Sequence, residues 1–236
     1  MKRVAIISGG TKGLGREISL VFGRAGYFVI SLYAADEAAA ECLRADFASS
    51  GMAGCAEKHD IALEGGTIWS KAEILSADSL TLIHNACAFF VPTPLHQLKW
   101  EDFQRSLDIA VKGAWLSTQS LLRLMLKKKP STVVTVSTSA IHGAAVKGVA
   151  AYSTAKNALR GYTLALAAEY GPQGLRVFSI SPGFMDTPLT RQWDERWREA
   201  IRSASTQLTE PGIAAKRLLE LVESQSIAAR GEDYPV

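Results

Sequence analysis

The chain has 236 residues, 47% of them hydrophobic and 21% charged, enough for a full α/β core and unlike a disordered or fibrous composition. A formal charge of +3 argues against a nucleic-acid partner, and no stretch reaches the ~18 apolar residues of a membrane span. Three cysteines without CxxC spacing argue against a disulfide framework and for a reduced, cytoplasmic setting.

In chain order, Val4–Ile7 is a short apolar run that predicts a first strand rather than the core of a signal peptide. Gly9, Thr11, Lys12, Gly13, Leu14 and Gly15 follow at once, and the helical pattern Leu14–Ala25 begins inside this run. A glycine-rich turn between strand and helix lets backbone N–H groups and the helix dipole face an anion, so these residues are a candidate pyrophosphate loop. Arg16-Glu17 after Gly15 rules out the Walker pattern. Strand Tyr27–Leu32 follows and ends on Tyr33, where NAD enzymes place an acid for the ribose 2′-hydroxyl. With no carboxylate at Tyr33, a 2′-phosphate is tolerated, although Asp36 lies close by.

Further predicted elements are the helix Asp36–Ser49, the strand Ser79–Ile83, a helix over roughly Trp100–Lys128 and the strand Thr132–Ser137. The helix Ala151–Tyr170, the strand Arg176–Ile180 and the helix Glu210–Glu223 complete the series, with Ile227–Val236 as a closing edge strand. Continuous apolar strands alternating with helices predict a Rossmann-like, doubly wound parallel sheet covered on both faces, a single domain over residues 1–236. The connection at about 185–208, with Trp193, Trp197 and several arginines, is a candidate substrate lid.

Tyr152 and Lys156 stand four residues apart, on one face of a predicted helix. Protonating a developing alkoxide needs an acid tuned toward neutrality, whereas a free tyrosine sits near a pKa of about 10. An ammonium about 4 Å away favours the phenolate by about 4 kcal/mol at an effective dielectric near 20, so Lys156 is expected to bring Tyr152 down into working range.

The glycine spacing, the Tyr-x-x-x-Lys pair and Ser139, thirteen residues before Tyr152, together resemble the short-chain dehydrogenase/reductases from Lys2 to about Glu223. The chain is most similar to the 3-oxoacyl-(acyl carrier protein) reductases. The resemblance implies NADP(H), with Lys12 meeting the 2′-phosphate. It places Asp60 and Ile61 at the adenine, and Asn85 and Ala86 near the ribose in a degenerate His84-Asn85-Ala86-Cys87 element. Ser139 is implied as a hydrogen-bond donor to the substrate oxygen, with Tyr152 and Lys156 at the nicotinamide. Pro182, Gly183, Phe184 and Thr187 are implied at its carboxamide and phosphates.

A relay asparagine of the family falls on Ala110, which has no side-chain amide. Small residues along Ala151–Tyr170 match the helix that joins subunits in relatives, implying a homo-oligomer, dimer or tetramer. The expected substrate is a small-molecule or carrier-bound ketone, as a 3-oxoacyl thioester. The alternatives are a sugar, polyol or steroid alcohol dehydrogenase, and a weakly catalytic NADP-binding sensor.

Overall fold

The computed structural model describes residues 1–63, 67–142, 146–204, 209–224 and 230–236. Its centre is β1 (Arg3–Ser8), whose Val4, Ala5, Ile6 and Ile7 have no solvent exposure. Such a run has no polar face to turn to water, so it is stable only with neighbours on both edges and helices on both faces. It pairs in parallel with β2 (Phe28–Tyr33) on one side and β4 (Ser79–His84) on the other. With β3 (Gly54–Lys58), β5 (Ser131–Val136), β6 (Leu175–Ser181) and β7 (Arg230–Pro235), the sheet has seven parallel strands in the order β3-β2-β1-β4-β5-β6-β7. This is the Rossmann-like fold expected.

Helices α1 (Gly13–Arg24), α2 (Glu37–Ser49) and α8 (Pro211–Glu223) cover one face, contributing Ile18, Phe22, Leu43 and Leu218 to its core. Helices α5 (Gly113–Lys127) and α6 (Ala150–Tyr170) cover the other with Leu121, Met125 and Leu166. A short α3 spans Ala72–Leu75, and α7 (Glu195–Ala204) lies in the expected lid segment, whose residues 205–208 fall outside the described ones.

Four elements depart from the sequence reading, the short α3 among them, which has no predicted counterpart. Strand β3 has no counterpart among the predicted elements. Its residues Gly54, Cys55, Ala56, Glu57 and Lys58 carry no β-branched pattern, and it is held by main-chain pairing to β2 and by Lys71 on Glu57 at 2.7 Å. The single helix expected over Trp100–Lys128 is α4 (Trp100–Leu107), a π turn over Asp108–Lys112, and α5. The closing strand begins at Arg230, with residues 227–229 of the expected span outside the described ones. Among the described residues, no helix is long and apolar enough to cross a membrane.

Candidate active site

The strand order reverses between β1 and β4, which opens a crevice at their carboxyl ends. The sequence closes the back of that crevice through one serine and one asparagine. Ser8 Oγ accepts from the Asn85 and Ala86 N–H groups at 3.0 and 3.1 Å, and Asn85 Nδ2 donates to the Ser8 and Gly9 carbonyls, both at 3.0 Å. Asn85 thus fixes the glycine loop to β4. Gly9 adopts φ +62, and a Cβ at Gly15 would stand 2.0 Å from the Gly9 carbonyl oxygen, so both positions need glycine. The amino end of α1 then faces the crevice with its N–H groups.

A cleft of about 310 Å³ runs along this loop past Lys12, Gly13, Leu14 and Asn85 to Thr187, Tyr152 and Lys156. A second, of about 540 Å³, meets it at Gly9 and Ala86 and is lined by Tyr33, Asp60 and Ile61. Together they line the crevice from Tyr33 and Asp60, past the glycine loop, to a tyrosine and a lysine, which suits an extended dinucleotide. The residues present therefore fit a nicotinamide dinucleotide. Thr11 is buried and lines neither cleft. Pro182 also lines neither and acts through its carbonyl, which accepts from Ser139 N–H at 2.9 Å. Gly183, Phe184 and Ser139 border a neighbouring recess shared with Tyr152.

At the far end of β2 the charges pair among themselves. Lys12 Nζ donates to Asp36 at 2.8 Å; Asp36 also caps α2 by accepting Ala39 N–H, and Lys12 beside it holds its carboxyl below the usual range. The Tyr33 hydroxyl donates to Glu37 at 2.8 Å and accepts from Arg44 at 3.1 Å.

Helix α6 brings Tyr152 and Lys156 to one face, as their spacing requires. Lys156 is 3% exposed, donates to the Val136 carbonyl at 2.6 Å, and stands 5.7 Å from the Tyr152 ring centroid. The expected lowering of the Tyr152 pKa is not found. Burial pushes the phenol up, the Cys87 thiol adds to that, and a hydrogen bond with Thr138 works against it. Burial likewise pushes Lys156 below its ordinary value, with Cys87 opposing. Desolvation of the phenolate dominates, while Lys156 directs a hydrogen bond to the Val136 carbonyl.

Three contributors carry no signal of their own in the sequence. Ser8 reads there only as the end of a strand. Thr138 stands beside the better-spaced Ser139. Ser137 lines the cleft with Lys156, and its buried hydroxyl has no hydrogen-bond partner among the described residues. His142, which by its place in the sequence could line the substrate mouth, instead bonds back to the sheet edge. Its Nε2 lies 2.5 Å from Asp233, which also accepts from Ser179 and Ser181 at 2.5 and 2.7 Å. His84 is buried beside Thr118 at 2.9 Å, and burial lowers its pKa to about 3, so it is neutral.

Comparison with known proteins agrees with this geometry. The short chain dehydrogenase family model matches residues 3–197. A 3-oxoacyl-[acyl-carrier-protein] reductase of Synechocystis sp. is 28% identical over 80% of this chain and 76% of its own length. Oxidoreductase UcpA of Salmonella typhimurium is 29% identical over 96% of this chain and 86% of its own. A short-chain dehydrogenase/reductase structure from Serratia marcescens superposes with a TM-score of 0.84 at 22% identity, covering 99% of this chain and 96% of that one. With the model matching most of its length, and with a fold that binds nicotinamide cofactors, the chain belongs to the short chain dehydrogenase family of oxidoreductases, which act on CH–OH or keto groups.

Proposed function

We propose that this protein is an NADP(H)-linked reductase that converts a ketone to an alcohol, with a 3-oxoacyl thioester as the substrate class. The observation that carries the reading is the pairing of half-buried Tyr152 with buried Lys156 in a cleft that begins at the glycine loop. When bound, the nicotinamide supplies the hydride. The loop backbone and the start of α1 hold the pyrophosphate, and Asn85 keeps that loop against β4. Asp60 and Ile61 receive the adenine end. Tyr152 gives its proton to the substrate oxygen, Ser139 donates a hydrogen bond to it, and Lys156 serves the nicotinamide ribose. Lys12 and the absence of an acid at Tyr33 favour NADP(H), with Lys12 leaving Asp36 for the 2′-phosphate.

The test is cofactor oxidation by the purified chain with acetoacetyl thioester and a panel of sugar, polyol-derived and steroid ketones. NADPH is expected to exceed NADH in kcat/KM by about ten-fold or more, the worth of one charge-assisted hydrogen bond. Preference for NADH overturns the cofactor assignment. Preference for a non-thioester ketone moves the substrate to that class. Tight NADPH binding with no turnover of any ketone favours a sensor, the second reading, which draws on buried Ala110 where relatives carry a relay amide.

The proposal includes one domain with a lid from about residue 185, a cytoplasmic setting and a homo-oligomer. Trp115 on α5 and Leu164 on α6 are 47% and 44% exposed, and a Cβ at Gly161 would touch nothing within 4 Å, so this pair of helices presents a bare apolar face. Sedimentation equilibrium is expected to give a dimer or tetramer; a monomer at all concentrations ends the assembly reading.

A further inference from the structure

Beside the Tyr152 ring lies a recess of about 90 Å³, under a third of the 310 Å³ cleft that holds Lys156. Among its described lining residues none is charged; Thr138, Ser139, Thr187, Thr190 and Tyr152 supply the hydroxyls, and apolar side chains supply most of the rest. A charged substituent placed there would exchange its water for a few neutral hydroxyls, with no opposite charge among the described lining residues to pair with.

The wall of the recess is fixed by two aromatic residues far apart in sequence. Trp193 is 8% exposed, and its Nε1–H donates to the Phe90 carbonyl at 2.7 Å. Phe90 stacks on Tyr152, with ring centroids 4.9 Å apart and planes inclined by 23°, and Trp193 packs on Phe90 at 5.1 Å. Further along the same segment, Trp197 lies against Gly148, where a Cβ would stand 2.9 Å from its ring. The Gly148 carbonyl in turn accepts from Thr93 N–H at 2.8 Å. Two tryptophans thus tie their segment to the loops around Phe90 and Gly148, beside Tyr152.

We infer that Trp193, held through Phe90, is the length gauge of the site. The protein takes ketones carrying a short, uncharged, apolar substituent and rejects those with long chains. The indole lines this small recess, and each methylene that fails to fit such a pocket costs about ten-fold or more in kcat/KM. This inference rests on the ketone-reductase reading above.

The experiment compares kcat/KM of the full chain for acetoacetyl and 3-oxodecanoyl thioesters of the same thiol, with NADPH. The short substrate is expected to lead by at least about ten-fold, and Trp193→Ala to shrink that ratio by about ten-fold. Phe90→Ala, which opens the same wall from the other side, is expected to move the ratio in the same direction. Trp193→Phe keeps an aromatic wall, smaller than the indole and without its N–H, and is expected to shrink the preference for the short substrate less than Trp193→Ala does. Equal kcat/KM for the two substrates in the wild type, or a ratio unmoved by both alanine substitutions, overturns the gauge while leaving reduction intact. NADPH binding without reduction of either thioester or of any free ketone overturns the reductase reading itself, and the gauge with it.

Discussion

On the reductase reading proposed above, Tyr152→Phe is expected to lower kcat/KM for ketone reduction by about a thousand-fold, within the span expected for loss of a positioned general acid, and to leave NADPH affinity nearly unchanged. The substitution removes one oxygen and keeps the ring, so the stack on Phe90 at 4.9 Å and the packing of α6 survive. What disappears is the proton donor. Burial raises the phenol pKa above its ordinary value of about 10 in the cofactor-free protein, so the group keeps its proton through neutral pH. Reduction, which consumes that proton, is therefore sustained at neutrality. Alcohol oxidation, which needs the phenolate, climbs as pH rises. Initial rates in both directions across pH, with NADPH binding followed by fluorescence, check both statements. If the Tyr152→Phe protein reduces ketones within about ten-fold of the wild type, Tyr152 has no part in the proton transfer.

Gly15→Ala is the substitution with the largest expected effect on the binding groove. The added Cβ would stand 2.0 Å from the Gly9 carbonyl oxygen and 2.5 Å from Asn85 Nδ2. Neither neighbour is the free end of a flexible chain. Gly9 is backbone at φ +62, and the Asn85 amide already spans two carbonyls at 3.0 Å each. Relief requires moving the loop off β4 and breaking at least one of those bonds. The cost is about 3 kcal/mol, from overpacking plus a lost hydrogen bond. For a chain of this size that lowers Tm by roughly 6 to 12 °C. On the proposed cofactor reading, NADPH affinity is expected to fall with it, because the N–H groups assigned to the pyrophosphate ride on the same loop. Thermal unfolding and a cofactor titration measure the two effects; an unchanged Tm and affinity would show that the loop yields freely.

Much of this architecture was legible in the sequence because it depends on neighbours along the chain. Strands β1, β2, β4, β5 and β6 are continuous apolar runs, and such runs are stable only inside a covered sheet. The glycine loop and the Tyr152–Lys156 pair lie within single turns or helices, where spacing alone sets geometry. Strand β3 carried no such signal, since its partners are main-chain groups of β2 rather than its own side chains. The π turn at Asp108–Lys112 has no glycine or proline before Gly113 to announce it. Contacts bridging distant segments were equally silent. Asn85 reaches Ser8 across 77 positions and Trp193 reaches Phe90 across 103. The Tyr152 pKa was illegible for a related reason. One ammonium at an assumed distance does not set it, because it answers first to the burial of the phenol, then to Cys87 and to the hydrogen bond with Thr138.

All seven strands run the same way, so every segment that reaches Tyr152, Lys156 or the glycine loop departs from one rim of the sheet. The turns on the opposite rim, around Met52 and Gly174, line neither of the two clefts at the glycine loop. A lineage can lengthen, shorten or rewrite those turns and risk only stability, while new selectivity is explored by changing the other rim. The molecule thus keeps its capacity to diversify apart from the parts that must hold still.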